Sequence, residues 1–290
     1  MTRASIIIHT RTRLCDFPSA LAVCHSVIDS NEFDKIRKQI LSATRSIDSL
    51  GQNETRRMIY TCGNYVVAGM VSFLENLADN NIEDEKFFSD EKGRSIYAFV
   101  GFAFEAKSQS VPHIDKKILW DNFKRYMEPV WERTVLDTQN SNPTDIDFEK
   151  VSMPEPTGAE SATGITLYTA GSNDVPIFYY WLGEALKGKA VSFCSNITDF
   201  RVVKDKPFDI ITTTTNIIER MKREPISQTV SSSAKSHSLS SETERNISDI
   251  YSQKTPVRVE SSTVGKTSKN IWLIVGVVLI ILVLVVLLLK

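Results

Sequence analysis

"GITLYTAGSNDVPIFYYWLGEALKGKAVSFCS", residues 164–195, decides the fold class of this chain. Its two ends, GITLYTA and AVSFCS, are short apolar runs of the kind that form strands. Between them, Asp174 stands where a helix N-cap belongs, Pro176 follows in the first turn, and Gly188 marks a stop. Strand, helix and strand over about 30 residues predict a βαβ unit. The alternative, residues 176–182 as a strand of an antiparallel sheet, is less favoured because the capping signals agree with one another.

The sequence pattern changes on either side of this unit. Two further strands are expected after it, at residues 199–203 (DFRVV) and 208–213 (FDIITT). Before it, residues 137–164 form a loop rich in Pro, Asp and Asn. We therefore divide the head of the protein into a helix-rich region, residues 1–135, and a short βαβ-like region, residues 136–221.

Three amphipathic helices are expected in the first region, because apolar residues recur there mostly at steps of three and four. They are predicted at residues 31–51, with Asn31 as N-cap and Gly51 past the end, at residues 54–80 and at residues 113–127. The apolar run SIYAFVGFAF, residues 95–104, is expected at the centre of what these helices build. The predicted class is α/β or α+β with a helix-rich N-terminal half.

A second decisive stretch is NIWLIVGVVLIILVLVVLLLK, residues 270–290. Ile271–Leu289 comprises 19 residues without a charged, amide or hydroxyl side chain, interrupted only by Gly276. As a helix it would be roughly 28 Å long, which matches the hydrocarbon core of a bilayer. Trp272 suits the interface and Lys290 can extend to the far side. We expect a single transmembrane helix.

The orientation of this helix follows from the charges before it. The opening residues contain only the short apolar run SIII, less than a signal peptide requires. Basic residues flanking the span keep the head in the cytosol under the positive-inside rule; they are Lys254, Arg258, Lys266 and Lys269. This layout is typical of a tail-anchored protein, and the span length favours the endoplasmic reticulum. Three sequons, at Asn53, Asn196 and Asn246, leave the opposite topology as the alternative.

Residues 222–269 are dominated by Ser and Thr and have no apolar period, so we expect a disordered tether. The tether carries 8 basic and 5 acidic residues, a balance that suits an anionic membrane surface. The head is left with a net negative charge and is not expected to bind nucleic acid. The tether is either a bare spacer or a target for phosphorylation, with Ser232, Ser240 and Ser252 as candidates.

The best candidate for a binding site is the turn TAGSND, Thr169–Asp174. A small turn before a helix presents backbone N–H groups and the positive end of the helix dipole to an anion such as phosphate. The candidate ligand-binding residues are Gly171, Ser172, Asn173 and Asp174. The threonines of residues 210–216 (IITTTTN) could add hydroxyls. The competing interpretation is a plain capped turn, because one glycine without a following lysine is not a phosphate-loop motif.

The sequence contains no specific catalytic pattern. Four cysteines have no C-x-x-C spacing and are expected to be reduced thiols, without a metal or other cofactor. The function favoured is a non-enzymatic adaptor, tether or membrane-organising factor that contacts protein partners, and this layout is compatible with a viral accessory protein. The alternative is a membrane-tethered enzyme that binds a phosphate-bearing ligand at Thr169–Asp174.

Overall fold

Long strands, most of them antiparallel, form the centre of the fold. The computed structural model describes residues 2–17, 21–25, 28–51, 53–106 and 110–223, all within a unit that extends to residue 228. The strands are β1 (Thr2–Thr10), β2 (Val23–His25), β3 (Arg56–Cys62), β4 (Tyr65–Phe73), β5 (Tyr97–Glu105), β6 (Val111–Pro112), β7 (Gln139–Ser141), β8 (Thr144–Ile146), β9 (Lys150–Val151), β10 (Glu160–Ala162), β11 (Ile165–Thr169), β12 (Ser192–Ile197) and β13 (Ile210–Thr213).

Six α-helices accompany these strands in the described part of the chain. They are α1 (Ser30–Thr44), α2 (Leu74–Leu77), α3 (Lys116–Met127), α4 (Asp174–Leu186), α5 (Phe200–Lys204) and α6 (Thr215–Arg223). Short 3-10 helices lie at Ile47–Ser49, Ile82–Phe87 and Glu128–Val130.

Eleven of the described strands belong to one mixed sheet. Its order is β10-β11-β13-β12-β3-β4-β5-β1-β2-β7, with β8 paired to β1. The strands β11, β13 and β12 are parallel, whereas β12-β3-β4-β5-β1 are antiparallel neighbours. The short strands β6 and β9 form a separate pair. The protein is therefore a mixed α/β fold, in which a parallel segment continues an antiparallel one.

Helices cover both faces of the sheet. Ile6 and Ile8 of β1 join the core that contains the apolar residues of α3 and α4. Ile7, between them, joins the core that contains those of α1, α5 and α6. Successive strand residues point to opposite faces, so each central strand needs apolar side chains at nearly every position. All three isoleucines are buried.

The predicted helix-rich N-terminal half is wrong. Residues 54–80, expected to form one helix, instead form the hairpin β3–β4 and the single-turn helix α2. The strands are joined at Gly63 and Asn64, where Gly63 adopts a φ of 56°, which glycine reaches without steric strain. Because both faces of these strands are buried, apolar residues occur almost continuously, and a helical period can be drawn through them by chance.

Smaller corrections concern element ends. Residues 199–203, predicted as a strand, begin helix α5, because the Asp199 carboxylate accepts from the backbone N–H of Arg201 and starts a helical turn. Helix α1 is capped by Asp29 rather than Asn31, and the Asp29 Oδ1 accepts from Glu32 N–H at 2.8 Å.

The elements predicted around residues 164–195 are confirmed. Strand β11, helix α4 and strand β12 follow in that order, and residues 176–182 lie in α4 rather than in a strand. The predicted cap is wrong by one residue: Asn173 rather than Asp174 is the N-cap, its side chain makes no capping hydrogen bond, and Asp174 is the first residue within the helix. Strand β13 lies between β11 and β12, so the crossover through α4 skips one strand. Helix α3 and strand β13 also lie where they were predicted.

Helix α6 includes Lys222 and Arg223, the first two residues assigned to the tether. The remainder of the predicted tether, residues 224–269, and the predicted membrane segment, residues 270–290, lie outside the described residues. Among the helices that the structure describes, none combines the length and the apolar character needed to cross a bilayer.

Candidate functional site

The turn Thr169–Asp174 lies at the carboxyl edge of the parallel strands. Strand β11 ends at Thr169, and the neighbouring strands β13 and β12 end at Thr213 and Ile197. The Ala170 N–H donates to the Thr213 carbonyl oxygen at 2.7 Å, which fastens the turn to the next strand. Ligands of open α/β sheets bind outside this edge, so the position predicted from the sequence agrees with the topology.

The four predicted ligand-binding residues of this turn do not face the same environment. Gly171, Ser172 and Asn173 are exposed, whereas Asp174 is only 8% exposed. Gly171 has a φ of 140°, and a Cβ there would meet no neighbouring atom, so the glycine serves the backbone turn. The Asp174 N–H donates to the Gly171 carbonyl oxygen at 3.0 Å and closes that turn.

Asp174 points inward, at the first turn of α4. Its Oδ1 is buried and has no hydrogen-bond partner among the described residues. Burial raises the pKa of this carboxyl, and the Thr212 hydroxyl, the Gly171 backbone and the Arg57 guanidinium lower it in part. The positive end of the helix dipole also favours the ionised form. Thr212, one of the threonines singled out from the sequence, thus belongs to the surroundings of Asp174.

Arg57 is the residue that sequence reasoning missed. It lies on β3, and its backbone N–H donates to the Ser195 Oγ of the parallel segment at 2.8 Å. Its guanidinium makes one weak contact, from Nη1 to Thr55 Oγ1 at 3.4 Å, and its buried Nε has no hydrogen-bond partner among the described residues. Burial lowers the pKa of Arg57, while Tyr179 and Asp174 oppose the shift. No ion pair of the Arg57 side chain occurs within the described ranges.

Arg56, the residue before Arg57, differs from it in the number of hydrogen bonds that its guanidinium makes. Adjacent strand residues point to opposite faces, and the Arg56 side chain is fully buried on the other side of the sheet. Its guanidinium donates four hydrogen bonds, which go to the carbonyl oxygens of Ala43, Arg45, Ser46 and Asn196. Arg56 therefore has a structural role, whereas the charge of Arg57 is uncompensated by an ion pair. The paired arginines in an otherwise apolar strand were the available sequence signal.

A cleft of about 410 Å³ opens beside Arg57. It is lined by the first turns of α3 and α4, through Lys116, Lys117 and Val175. Its charged lining residues are three cations and two carboxylates, namely Arg57, Lys116, Lys117, Asp79 and Asp115. The residues Gly171, Ser172 and Asn173 are not part of this lining. The cations of the region therefore line a neighbouring cleft rather than the turn predicted from the sequence.

Both lysines of the cleft already contact carboxylates. Lys116 Nζ lies 3.0 Å from Asp79 Oδ1 and 2.7 Å from Asn76 Oδ1. Lys117 Nζ lies 2.8 Å from Asp121 Oδ2, with its side chain 83% exposed. Asp115 caps α3 by accepting from the Ile118 N–H. Arg57 is thus the cation of this lining that has no ion pair within the described ranges.

The back wall of the cleft is held rigidly. The Tyr179 hydroxyl of α4 accepts from the Ile114 N–H at 3.1 Å and donates to the Ile114 carbonyl oxygen at 2.9 Å. The His113 ring lies against the Tyr179 ring, with centroids 5.5 Å apart. These contacts fix the segment before α3 against α4.

A second cleft, of about 500 Å³, lies where strand β1 ends and strand β5 begins. Two arginines, Arg11 and Arg94, are among its lining residues. Arg11 is 7% exposed, with Nη1 at 3.2 Å from Asp90 Oδ2 and Nη2 at 3.0 Å from the Ser95 carbonyl oxygen. Asp90 also accepts from Arg94 Nε at 2.7 Å. Because the two cations are already paired with two carboxylates, Asp90 and Asp16, this cleft is a weaker anion site than the cleft at Arg57.

The buried cysteines of the described ranges are poorly suited to nucleophilic catalysis. Burial raises the pKa of the Cys24 thiol to about 11 and that of Cys194 to about 12, with Arg56 lowering the latter in part. Burial also raises the pKa of Cys62. Reactive cysteines require the opposite shift, toward the thiolate. In the described ranges, no group of three or more His, Cys, Asp or Glu side chains could hold a metal ion.

The other residues singled out from the sequence lie beyond residue 223, outside the described ranges. They are the membrane-anchor residues Ile271, Trp272, Gly276 and Leu289, the basic residues Lys254, Arg258, Lys266 and Lys269, and the candidate phosphorylation sites Ser232, Ser240 and Ser252.

No protein-family model, no curated protein sequence and no solved structure matches the chain. The residues of the chain itself must therefore carry any functional assignment.

Proposed function

We propose that this chain is a single-pass membrane protein, anchored through Ile271–Leu289, whose cytosol-facing head acts as an adaptor, tether or membrane-organising factor by binding other proteins. One observation carries the proposal: 19 consecutive residues without a polar side chain, in a protein whose residues are otherwise rich in charge. A run of that length and composition suits a bilayer better than the core of a soluble domain.

The charges before this run support a cytosolic head. Lys254, Arg258, Lys266 and Lys269 precede it, and Glu260 is the only acidic residue among them. Positively charged flanks remain on the cytosolic side during insertion. The same residues would lie against the anionic headgroups of the cytoplasmic leaflet, each contributing about 1 kcal/mol of attraction.

Binding is favoured over catalysis by the state of the buried nucleophiles. Cys24, Cys62 and Cys194 have raised pKa values and are buried, so they are protonated at neutral pH. The alternative, a membrane-tethered enzyme with a phosphate-bearing ligand at Thr169–Asp174, has less support. The exposed residues of that turn carry no cation, and the uncompensated cation of the region is Arg57 in the neighbouring cleft.

Deleting residues 271–289 tests the anchor. The full chain should sediment with membranes after a high-salt wash, and the deleted chain should remain in the soluble fraction. Circular dichroism should show that the head has the same secondary-structure content in both proteins. A matched control replaces the same run with an unrelated apolar span of equal length, which should restore membrane association. Persistence of the deleted chain on washed membranes would contradict the proposal.

The proposed membrane is the endoplasmic reticulum. A helix of roughly 28 Å fits its hydrocarbon core of about 27 Å better than a plasma membrane of about 32–33 Å. A fluorescent protein fused to residues 254–290 should colocalise with a reticulum marker. Exclusive labelling of mitochondria would exclude this membrane.

The adaptor role itself is tested by proximity labelling from the head in cells. The intact chain should label a reproducible set of cytosol-exposed proteins, and a chain that carries only residues 222–290 should not. Equal labelling by the two would show that the head recruits no partner.

A further inference from the structure

We propose that the cleft lined by Arg57, Lys116, Lys117 and Tyr179 binds a phosphorylated polyol, with the guanidinium of Arg57 as the principal phosphate ligand. The site is independent of the membrane-anchor proposal, because every residue in it belongs to the described head.

The first argument is the state of Arg57. A partly buried guanidinium without an ion pair is unfavourable, since desolvation penalises the charge by several kcal/mol unless a partner compensates it. Two other buried arginines have that compensation, Arg56 through four carbonyl oxygens and Arg11 through Asp90. The side chain of Arg57 has only the Thr55 hydroxyl, at 3.4 Å, as a hydrogen-bond partner within the described ranges, and the Asp174 carboxylate acts on it through its charge without forming an ion pair. A planar guanidinium in this state is suited to bidentate contact with a phosphate group.

The second argument is what surrounds Arg57. The first turn of α3 supplies Lys116 and Lys117, and the first turn of α4 supplies Val175. Both helices are long enough to direct the positive end of a dipole toward the cleft. The bond between Lys117 and Asp121 lies on the surface, where ion pairs contribute little, so Lys117 is free to turn toward an anion.

The third argument concerns the rest of the ligand. The volume of about 410 Å³ exceeds what a bare phosphate needs and falls within the usual range of small-molecule sites. Asp79 and Asp115 in the lining would repel a second anionic group but accept hydrogen bonds from hydroxyls. The half-buried His113 ring, backed by the buried Tyr179 ring, offers a surface against which a polyol ring can lie. Phosphate on one side and hydroxyls on the other define a phosphorylated polyol.

Two sources supply this chemistry, a soluble sugar or inositol phosphate and the headgroup of a phosphoinositide lipid. Isothermal titration calorimetry on the full chain in nonionic detergent separates them. The probes are inorganic phosphate, inositol monophosphate and a short-chain phosphatidylinositol monophosphate. We expect inositol monophosphate to bind more tightly than inorganic phosphate; further tightening by the lipid probe assigns the source to the membrane, and equal affinity assigns it to a soluble ligand.

The variants locate the site. Arg57→Met should weaken binding of inositol monophosphate about tenfold or more, which is the effect of losing one charge-assisted contact of about 1.4 kcal/mol. Lys117→Gln, an exposed change that leaves the fold intact, should weaken binding about threefold. Arg13→Met is the matched control, because Arg13 is a surface arginine paired with Glu132 and lies outside this lining; it should bind as the unaltered chain does.

Three results would overturn the proposal. They are the absence of binding heat with every probe, equal affinity for inorganic phosphate and inositol monophosphate, and unchanged affinity in both Arg57→Met and Lys117→Gln. If Arg57→Met does not fold, Lys117→Gln alone decides, since unchanged affinity in that variant then excludes the cleft.

Discussion

Gly69 and Gly101 lie directly opposite each other on β4 and β5, and their backbones approach so closely that neither position has room for a Cβ atom. A Cβ on Gly69 would lie 2.3 Å from the Val100 carbonyl oxygen and 2.4 Å from Gly101 Cα. A Cβ on Gly101 would lie 2.6 Å from the Ala68 carbonyl oxygen. Apart from Phe99 Cζ, which would lie 2.7 Å from a Cβ on Gly101, the obstructing atoms belong to backbone, which cannot move without displacing the strands at the centre of the sheet.

We therefore predict that Gly69→Ala lowers the free energy of unfolding by about 2 kcal/mol or more, as overpacking of a rigid core does. Urea denaturation of the full chain in detergent measures it. Gly51→Ala is the control, because a Cβ there meets only the flexible Glu54 side chain and should change stability by less than about 0.5 kcal/mol. Equal stability of the two variants would show that the strands can separate.

Arg56 holds the end of helix α1 against the sheet. Its guanidinium donates to the carbonyl oxygens of Ala43, Arg45 and Ser46, which are the last carbonyls of the helix and those just beyond it. Such carbonyls lack partners within the helix itself. Arg56→Met should destabilise the protein by about 3–5 kcal/mol, because it leaves buried carbonyl oxygens unsatisfied.

Arg56→Lys should not rescue this loss, since an ammonium on a single stem cannot reach the four carbonyls that the fork of the guanidinium reaches. Denaturation midpoints of both variants, compared with Arg13→Met as a surface control, provide the measurement. Full rescue by lysine would mean that charge rather than fork geometry holds the helix end.

The stability of the head should fall in mild acid through His9. This side chain is 3% exposed and stacks on Phe17, and burial, followed by the charge of Arg37, lowers its pKa to about 4 from an ordinary 6.5. Above pH 6.5 the imidazole is neutral in the folded and the unfolded chain. Between pH 6.5 and 4 only the unfolded chain gains the proton, so unfolding becomes easier by up to about 3 kcal/mol as the pH falls.

His9→Phe should remove this part of the pH dependence, because phenylalanine fills the site and does not titrate. The measurement is the denaturation midpoint of both proteins between pH 4 and pH 7.5, a range set by the two pKa values of His9. His25, whose pKa is also lowered by burial, leaves a smaller slope of the same sign. An identical pH profile in the variant would rule out His9 as the source.

The cytosolic orientation predicts that protease added outside intact microsomes removes the head. The sequons supply an independent readout, because Asn53 is exposed whereas Asn196 is half-buried in β12 with its backbone N–H bound to Thr212 Oγ1. In the proposed topology Asn53 remains unmodified, and glycosidase treatment leaves the mass unchanged. A head that is protected from protease and carries a glycan on Asn53 would show that the topology is the opposite of the one proposed.

The residues of the sequence determined those elements whose signals are local. Helix α4 has Asn173 and Asp174 at its start and Gly188 at its stop, and helix α3 has Asp115 as its cap. Residues that favour a helix start or stop lie within a few positions of the helix end, so they can be recognised before the fold is known. The same holds for the strands β11, β12 and β13, which are short apolar runs between such helices.

Only the tertiary structure decided the N-terminal half and the site. Residues 54–80 form a hairpin whose two faces are both covered by helices. Because both faces are buried, the alternation of apolar and polar residues that distinguishes a strand from a helix is lost from the sequence. Arg57, Lys116 and Val175 meet in one cleft although long stretches of chain separate them. Contacts between distant residues depend on the order of the strands and on which face each helix covers, and neither is contained in local patterns of polarity.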